Sequence, residues 1–187
     1  MSQLGWQQNS DTRKSCKRAI EDARQRVAEL INAEDETCII FTCGATESNN
    51  MAIKGTALRN IRKGKRVAAS AIEHISVLNS AKELQKSDFG LTLIPVDQTG
   101  IIDIEKLADI VTEDTTVTSV MYANNEIGTI EPIKEIGEIV HEKGLCLHVD
   151  ATAAAGCIHI DVQSDGIDLL TMSSNDMYGP QGAVHCT

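Results

Sequence analysis

The feature that most limits the fold is an alternation. Short apolar runs rich in β-branched residues recur along the chain, each separated from the next by a stretch with helix-like character. The strand-like runs fall at residues 38–42, 66–70, 91–96, 116–122, 145–149, 167–172 and 183–186. The helix-like stretches fall at 15–31, 46–62, 76–86, 104–111 and 132–141, the last with a proline near its start. Antiparallel strands can be joined by tight turns, whereas strands separated by helices imply crossovers and a mainly parallel sheet. The expected fold class is therefore α/β, a three-layer α/β/α arrangement with helices on both faces of the sheet. In such sheets ligands bind beyond the carboxyl ends of the strands, so those ends are where chemistry is expected.

Composition narrows the function classes. The chain has 187 residues, 42% of them apolar, which suits a single domain with a real core. No apolar run approaches the roughly 18 residues that cross a bilayer, so no membrane role is expected. The segment Met1–Lys17 is polar and lacks the apolar centre of a signal peptide, which points to the cytoplasm. With 27 acidic against 17 basic residues, the formal charge of −10 opposes nucleic-acid binding. Six cysteines at 16, 38, 43, 146, 157 and 186 lack the paired spacing of a zinc site or disulfide framework.

Four strand ends carry polar groups worth following. After residues 38–42 comes Cys43-Gly44-Ala45-Thr46-Glu47-Ser48-Asn49-Asn50. Small residues opening a helix leave backbone N–H groups free for a phosphate, or Thr46 simply caps the helix. After 66–70 come Glu73 and His74, the histidine being either a surface residue or an acid–base group. After 116–122 come Asn124 and Asn125, whose amides either serve the turn or face a ligand. After 145–149 comes Asp150, a costly place for an acid unless a cation meets it. Cys146, His148 and Asp150 alternate on one side of that strand, and metal ligation is the minor alternative there.

Taken in order, FTCGATESNN (41–50), AIEHISVL (71–78), YANNEIGTIEPI (122–133), LHVDAT (147–152) and SSNDMYGPQG (173–182) resemble the large domain of the cysteine desulfurases. These are pyridoxal-phosphate (PLP) enzymes of the class V aminotransferase group, with a PLP-dependent transferase-like large domain. The resemblance runs over 16–187 and leaves 1–15 as a divergent N-terminal segment. It implies that Ala45 and Thr46 sit at the cofactor phosphate, with Ser173 adding a further contact. By the same resemblance His74 stacks on the pyridine ring and assists proton transfer. Asn125 bonds near the phenolic oxygen, Asp150 pairs with the protonated ring nitrogen, and Asn175 belongs to the same set. Sulfur transfer from L-cysteine, giving alanine and a persulfide for iron–sulfur cluster assembly, is the implied ancestral chemistry. A homodimer, and a sulfur-acceptor or iron–sulfur scaffold protein, are the implied partners.

The sequence departs from that pattern at the centre of the chemistry. The family has His then Lys where this chain has Asn175 and Asp176, and the absent lysine is the one that forms the Schiff base with PLP. An aspartate cannot form an imine, so PLP would be held non-covalently. Asp176 becomes a base in the lysine's place only if burial raises its pKa. Ala153 stands where a glutamine meets the cofactor, and Gln181 replaces a lysine. The family's mobile loop with its nucleophilic cysteine, and a substrate-carboxylate arginine, have no recognisable equivalent here. The chain alone is thus expected to be inactive as a desulfurase. The alternatives are a non-catalytic scaffold or regulator of sulfur transfer, and a truncated degenerate gene product.

Overall fold

The computed structural model describes residues 3–179 and 183–186, with side chains from residue 12 to 179. Seven strands form a single sheet: β1 (Ile39–Thr42), β2 (Arg66–Ser70), β3 (Gly90–Ile94), β4 (Thr115–Met121), β5 (Leu147–Asp150), β6 (Leu169–Ser173) and β7 (Ala183–Cys186). Their order is β1-β7-β6-β5-β4-β2-β3. Every pairing from β6 through β5, β4 and β2 to β3 is parallel. β7 runs against its neighbours β6 and β1, which leaves β1 parallel to the rest. The expected three-layer fold is therefore present, with one reversed strand inside it.

Five α-helices flank the sheet: α1 (Gln3–Ile31), α2 (Ala45–Arg59), α3 (Ile75–Leu84), α4 (Ile104–Ile110) and α5 (Ile133–Glu142). The period-two pleat sorts the strand side chains between two cores. Val67, Ala69 and Val117 pack with Ile53 and Ala57 of α2 and with Val77, Ala81 and Leu84 of α3. Ala68, Val120, Leu147, Val149, Leu170 and Met172 point the other way, onto Ile31 of α1, Leu107 of α4 and Ile133, Ile136 and Val140 of α5. Each large aliphatic side chain so buried is worth about 1.5–3 kcal/mol. Among the described residues no helix is long and apolar enough to cross a membrane.

Several boundaries differ from the sequence reading. α1 begins at Gln3 rather than residue 15, because the apolar periodicity that marks its later turns is missing from the sequence of its first ones. β5 extends to Asp150 and β6 to Ser173, so the acid and the serine end their strands instead of following them. α2 has almost no amphipathic pattern, since its buried side carries Ser48 and Asn49 beside Ala52, Ile53 and Ala57. Those inward polar residues face the polar side of the central strands. There His148, fully buried, bonds Ser119 Oγ through Nδ1 at 2.8 Å and Thr171 Oγ1 through Nε2 at 3.1 Å. With both ring nitrogens engaged, His148 has no lone pair for a metal, and the metal alternative loses its central ligand.

Candidate functional site

Because β1, β2, β4, β5 and β6 are mutually parallel, their last residues (Thr42, Ser70, Met121, Asp150 and Ser173) come out at one edge of the sheet. The loops leaving that edge enclose a cavity of about 280 Å³ lined by Ala45, His74, Met121, Ala123, Asn125, Asp150, Thr152, Ala153 and Asp176. Six of the residues singled out from sequence thus line one cavity: Ala45, His74, Asn125, Asp150, Ala153 and Asp176. Thr46 and Asn175 adjoin lining residues in the chain and Ser173 ends β6 three positions before Asp176, but none of the three lines the cavity. Gln181 lies outside the described residues.

The start of α2 borders this cavity through Ala45. Gly44, not Thr46, is its N-cap, and Gly44 contributes no side chain to the helix amides. Glu47 and Ser48 donate back to the Gly44 carbonyl at 3.0 and 3.1 Å. The amides of Ala45 and Thr46 precede them, with no helical carbonyl behind, which leaves donors and the positive end of the helix dipole beside the cavity. The threonine-cap reading is thereby replaced by an uncapped helix end.

Asp150 is 4% exposed, yet among the described residues no cation pairs with it. Its Oδ1 accepts the Thr152 N–H at 3.0 Å and the Thr152 hydroxyl, and its Oδ2 accepts Asn49 Nδ2 at 2.8 Å. Three donors hold the carboxylate in one rotamer facing the cavity. Hydrogen bonds supply here part of what the sequence reading assigned to a positive charge.

His74 caps α3: its Nδ1 accepts the Ser76 N–H at 3.2 Å and lies 2.8 Å from Ser76 Oγ. Asn49 Nδ2 reaches the same Ser76 oxygen at 2.9 Å. The two adjacent amides after β4 divide their work. Asn124 Oδ1 accepts the N–H groups of Glu126 and Ile127 at 2.9 and 3.2 Å, and its Nδ2 donates to the Ile72 carbonyl. Asn125, spared that duty, faces the cavity. Asp176 sits on the exposed turn after β6, where Met177 and Gly179 donate to the Ser174 carbonyl. Being exposed, it lacks the burial on which the reading of it as a base depended.

Sequence reasoning missed Thr152, Asn49 and Ser76. Thr152 had a local signal, since a side chain accepting the N–H two residues on is a common aspartate turn. Asn49 had none: it meets Asp150 across 101 positions of chain.

A family model for aminotransferase class-V matches residues 3–184, and the chain belongs to that family of PLP-dependent enzymes. It is 56% identical over 163 residues to the cysteine desulfurase IscS 1 of Archaeoglobus fulgidus, covering 87% of this chain and 42% of that protein. It is 47% identical over 166 residues to the cysteine desulfurase IscS of Clostridium botulinum, covering 89% and 42%. The chain therefore spans about two-fifths of the length of these curated relatives. Among solved structures, DndA from Streptomyces lividans matches with a TM-score of 0.86 at 30% identity, over 100% of this chain and 51% of its own. A NifS-like protein matches at 0.85 and 33%, over 89% and 46%.

The residues present suit PLP held without a covalent bond. A fixed carboxylate, a side-chain amide and an imidazole line the cavity, and an uncapped helix start borders it, but among the described residues no lysine does.

Proposed function

We propose that the chain is the cofactor-binding part of a cysteine-desulfurase-type protein that holds PLP non-covalently. The observation that carries this reading is the convergence of Ala45, His74, Asn125, Asp150 and Asp176, from loops far apart in sequence, on one cavity. When bound, PLP supplies an electron-poor ring that accepts the electron pair released at a substrate α-carbon.

The chain's own groups bind, orient and move protons. Asp150, held by Asn49 and Thr152, would accept the ring N–H. The free amides at the start of α2 would receive the phosphate, with Thr46 and Ser173 as the further contacts that the resemblance implies, and Asn125 would donate near the phenolic oxygen. His74 would cover the ring and is the imidazole at the cavity that could take up or return a proton, while exposed Asp176 stands where the attachment amine is missing. Asn175, beside Asp176 on the same turn, completes the rim.

Among the described residues no cysteine lines the cavity. The thiolate that would accept sulfur is therefore assigned to a partner chain or a further segment, and the chain alone is read as inactive in sulfur transfer. Similarity to the IscS proteins supports a cytoplasmic role as a homodimer that meets a sulfur acceptor or an iron–sulfur scaffold protein. A titration with PLP, followed by absorbance before and after borohydride, tests the reading. Saturable binding with no borohydride-fixed cofactor is expected. Absence of saturable binding by the folded chain refutes it and leaves the scaffold alternative.

A further inference from the structure

Asp150 and His74 end up in one hydrogen-bonded line. Asp150 Oδ2 accepts from Asn49 Nδ2 at 2.8 Å, the same Nδ2 lies 2.9 Å from Ser76 Oγ, and Ser76 Oγ lies 2.8 Å from His74 Nδ1. Asn49 is fully buried and Ser76 nearly so.

The polarity of each link follows from the one before. A carboxylate oxygen only accepts, so Asn49 must turn its NH₂ toward Asp150. The opposite orientation would set Asn49 Oδ1 against the carboxylate. The second hydrogen of that NH₂ goes to Ser76 Oγ, which then has its own single hydrogen to give, and His74 Nδ1 is the acceptor within reach. The Ser76 backbone N–H points at the same nitrogen, at 3.2 Å. A proton on Nδ1 would confront both donors. The arrangement carries a cost that shows what it selects: Asn49 Oδ1 is buried with no partner. An asparagine kept there with one end unsatisfied is held by its NH₂.

We infer that Asn49 and Ser76 are positioning residues, which transmit the fixed charge of Asp150 to His74 and hold its imidazole as the Nε2–H form. Neither lines the cavity, and both act through residues that do. The inference deepens the reading above, because it matters to chemistry only if His74 serves a bound cofactor. It is nevertheless testable without PLP.

The experiment is ¹⁵N NMR of the histidine side chains in the full chain at pH 8, with His74 assigned by its loss in His74→Gln. The wild type is expected to show His74 as Nε2–H in large excess. Asn49→Leu and Ser76→Ala should each lower the Nε2–H to Nδ1–H ratio by about fivefold or more, the loss of roughly one hydrogen bond. Ser76→Thr, which keeps the hydroxyl, should restore it. Should Asn49→Leu not fold, Ser76→Ala decides, since it removes one oxygen at a helix start. An Nδ1–H wild type, or a ratio that Ser76→Ala leaves unchanged, overturns the inference. A failed PLP titration with the NMR result intact refutes the functional reading alone.

Discussion

Glu73 Oε1 accepts the backbone N–H of Met121 at 2.5 Å, tying the loop after β2 to the end of β4. Its other oxygen, Oε2, is buried without a partner. The bond sets the distance between the segments that present His74 and Asn125 to the cavity. It does so with a carboxyl group that is 6% exposed and faces no cation. Burial foremost, and the negative charge of Asp150 next, push its pKa well above the ordinary glutamate range.

That environment gives a pH signature. Between about 4.3, where an unfolded glutamate ionises, and its raised value in the fold, native Glu73 keeps a proton that the unfolded chain gives up. Its contribution to stability therefore falls as pH rises through that window. Glutamine keeps the acceptor for Met121 and cannot ionise. Glu73→Gln should be more stable than wild type by about 1–2 kcal/mol at pH 8, the difference shrinking toward pH 4. Urea unfolding of both proteins from pH 4 to 8 reads this difference curve, in which carboxylates of lowered pKa such as Asp97 and Asp161 cancel. Parallel curves would contradict it.

Gly137 of α5 faces the 165–166 turn. A Cβ there would lie 2.7 Å from the Asp165 carbonyl oxygen and 3.2 Å from that of Gly166. Alanine normally gains about 1 kcal/mol over glycine inside a helix. Here the obstacle is backbone, which cannot swing aside, and overpacking costs about 1–3 kcal/mol. Gly137→Ala is expected to lower stability by up to about 2 kcal/mol net. A thermal melt at or above the wild-type midpoint would show that the turn yields.

Cys43 is exposed two residues before α2, where a helix start would ordinarily favour a thiolate. Glu47 reverses this. Its side chain accepts the Cys43 N–H at 2.7 Å, and its hydrogen bond with the thiol, then its charge, raise the thiol pKa. Cys43 is thus a poor nucleophile. Glu47→Gln should speed its alkylation by iodoacetamide at pH 8 severalfold, as followed by peptide mass spectrometry. An unchanged rate would mean that the carboxylate does not hold the thiol back.

The alternation of β-branched runs with helical spacing made the parallel sheet legible, since a helix between successive strands carries the chain back across the sheet as a crossover. Asp150 was legible because an acid at the end of a buried strand is costly, whereas the residues alone left open whether Asn124 and Asn125 serve the turn or a ligand, and Asn125 was singled out only by the resemblance. The reversed strand β7 was not, since residues 183–186 read the same in either direction. Nor were Asn49 and Ser76 as partners. Asn49 lies on a helix without apolar pattern, and its partners come from 27 and 101 positions away. Periodicity reports which side of an element is buried, not which buried polar groups meet.

The central claim is that the strand ends form a PLP site whose attachment amine has been replaced by an acid. Asp176→Lys tests it most directly. Incubated with PLP, the variant should turn yellow, and borohydride should bleach it and leave the cofactor's mass on the peptide spanning position 176, while wild type treated alike carries none. A folded Asp176→Lys variant that stays colourless and unmodified would contradict the account.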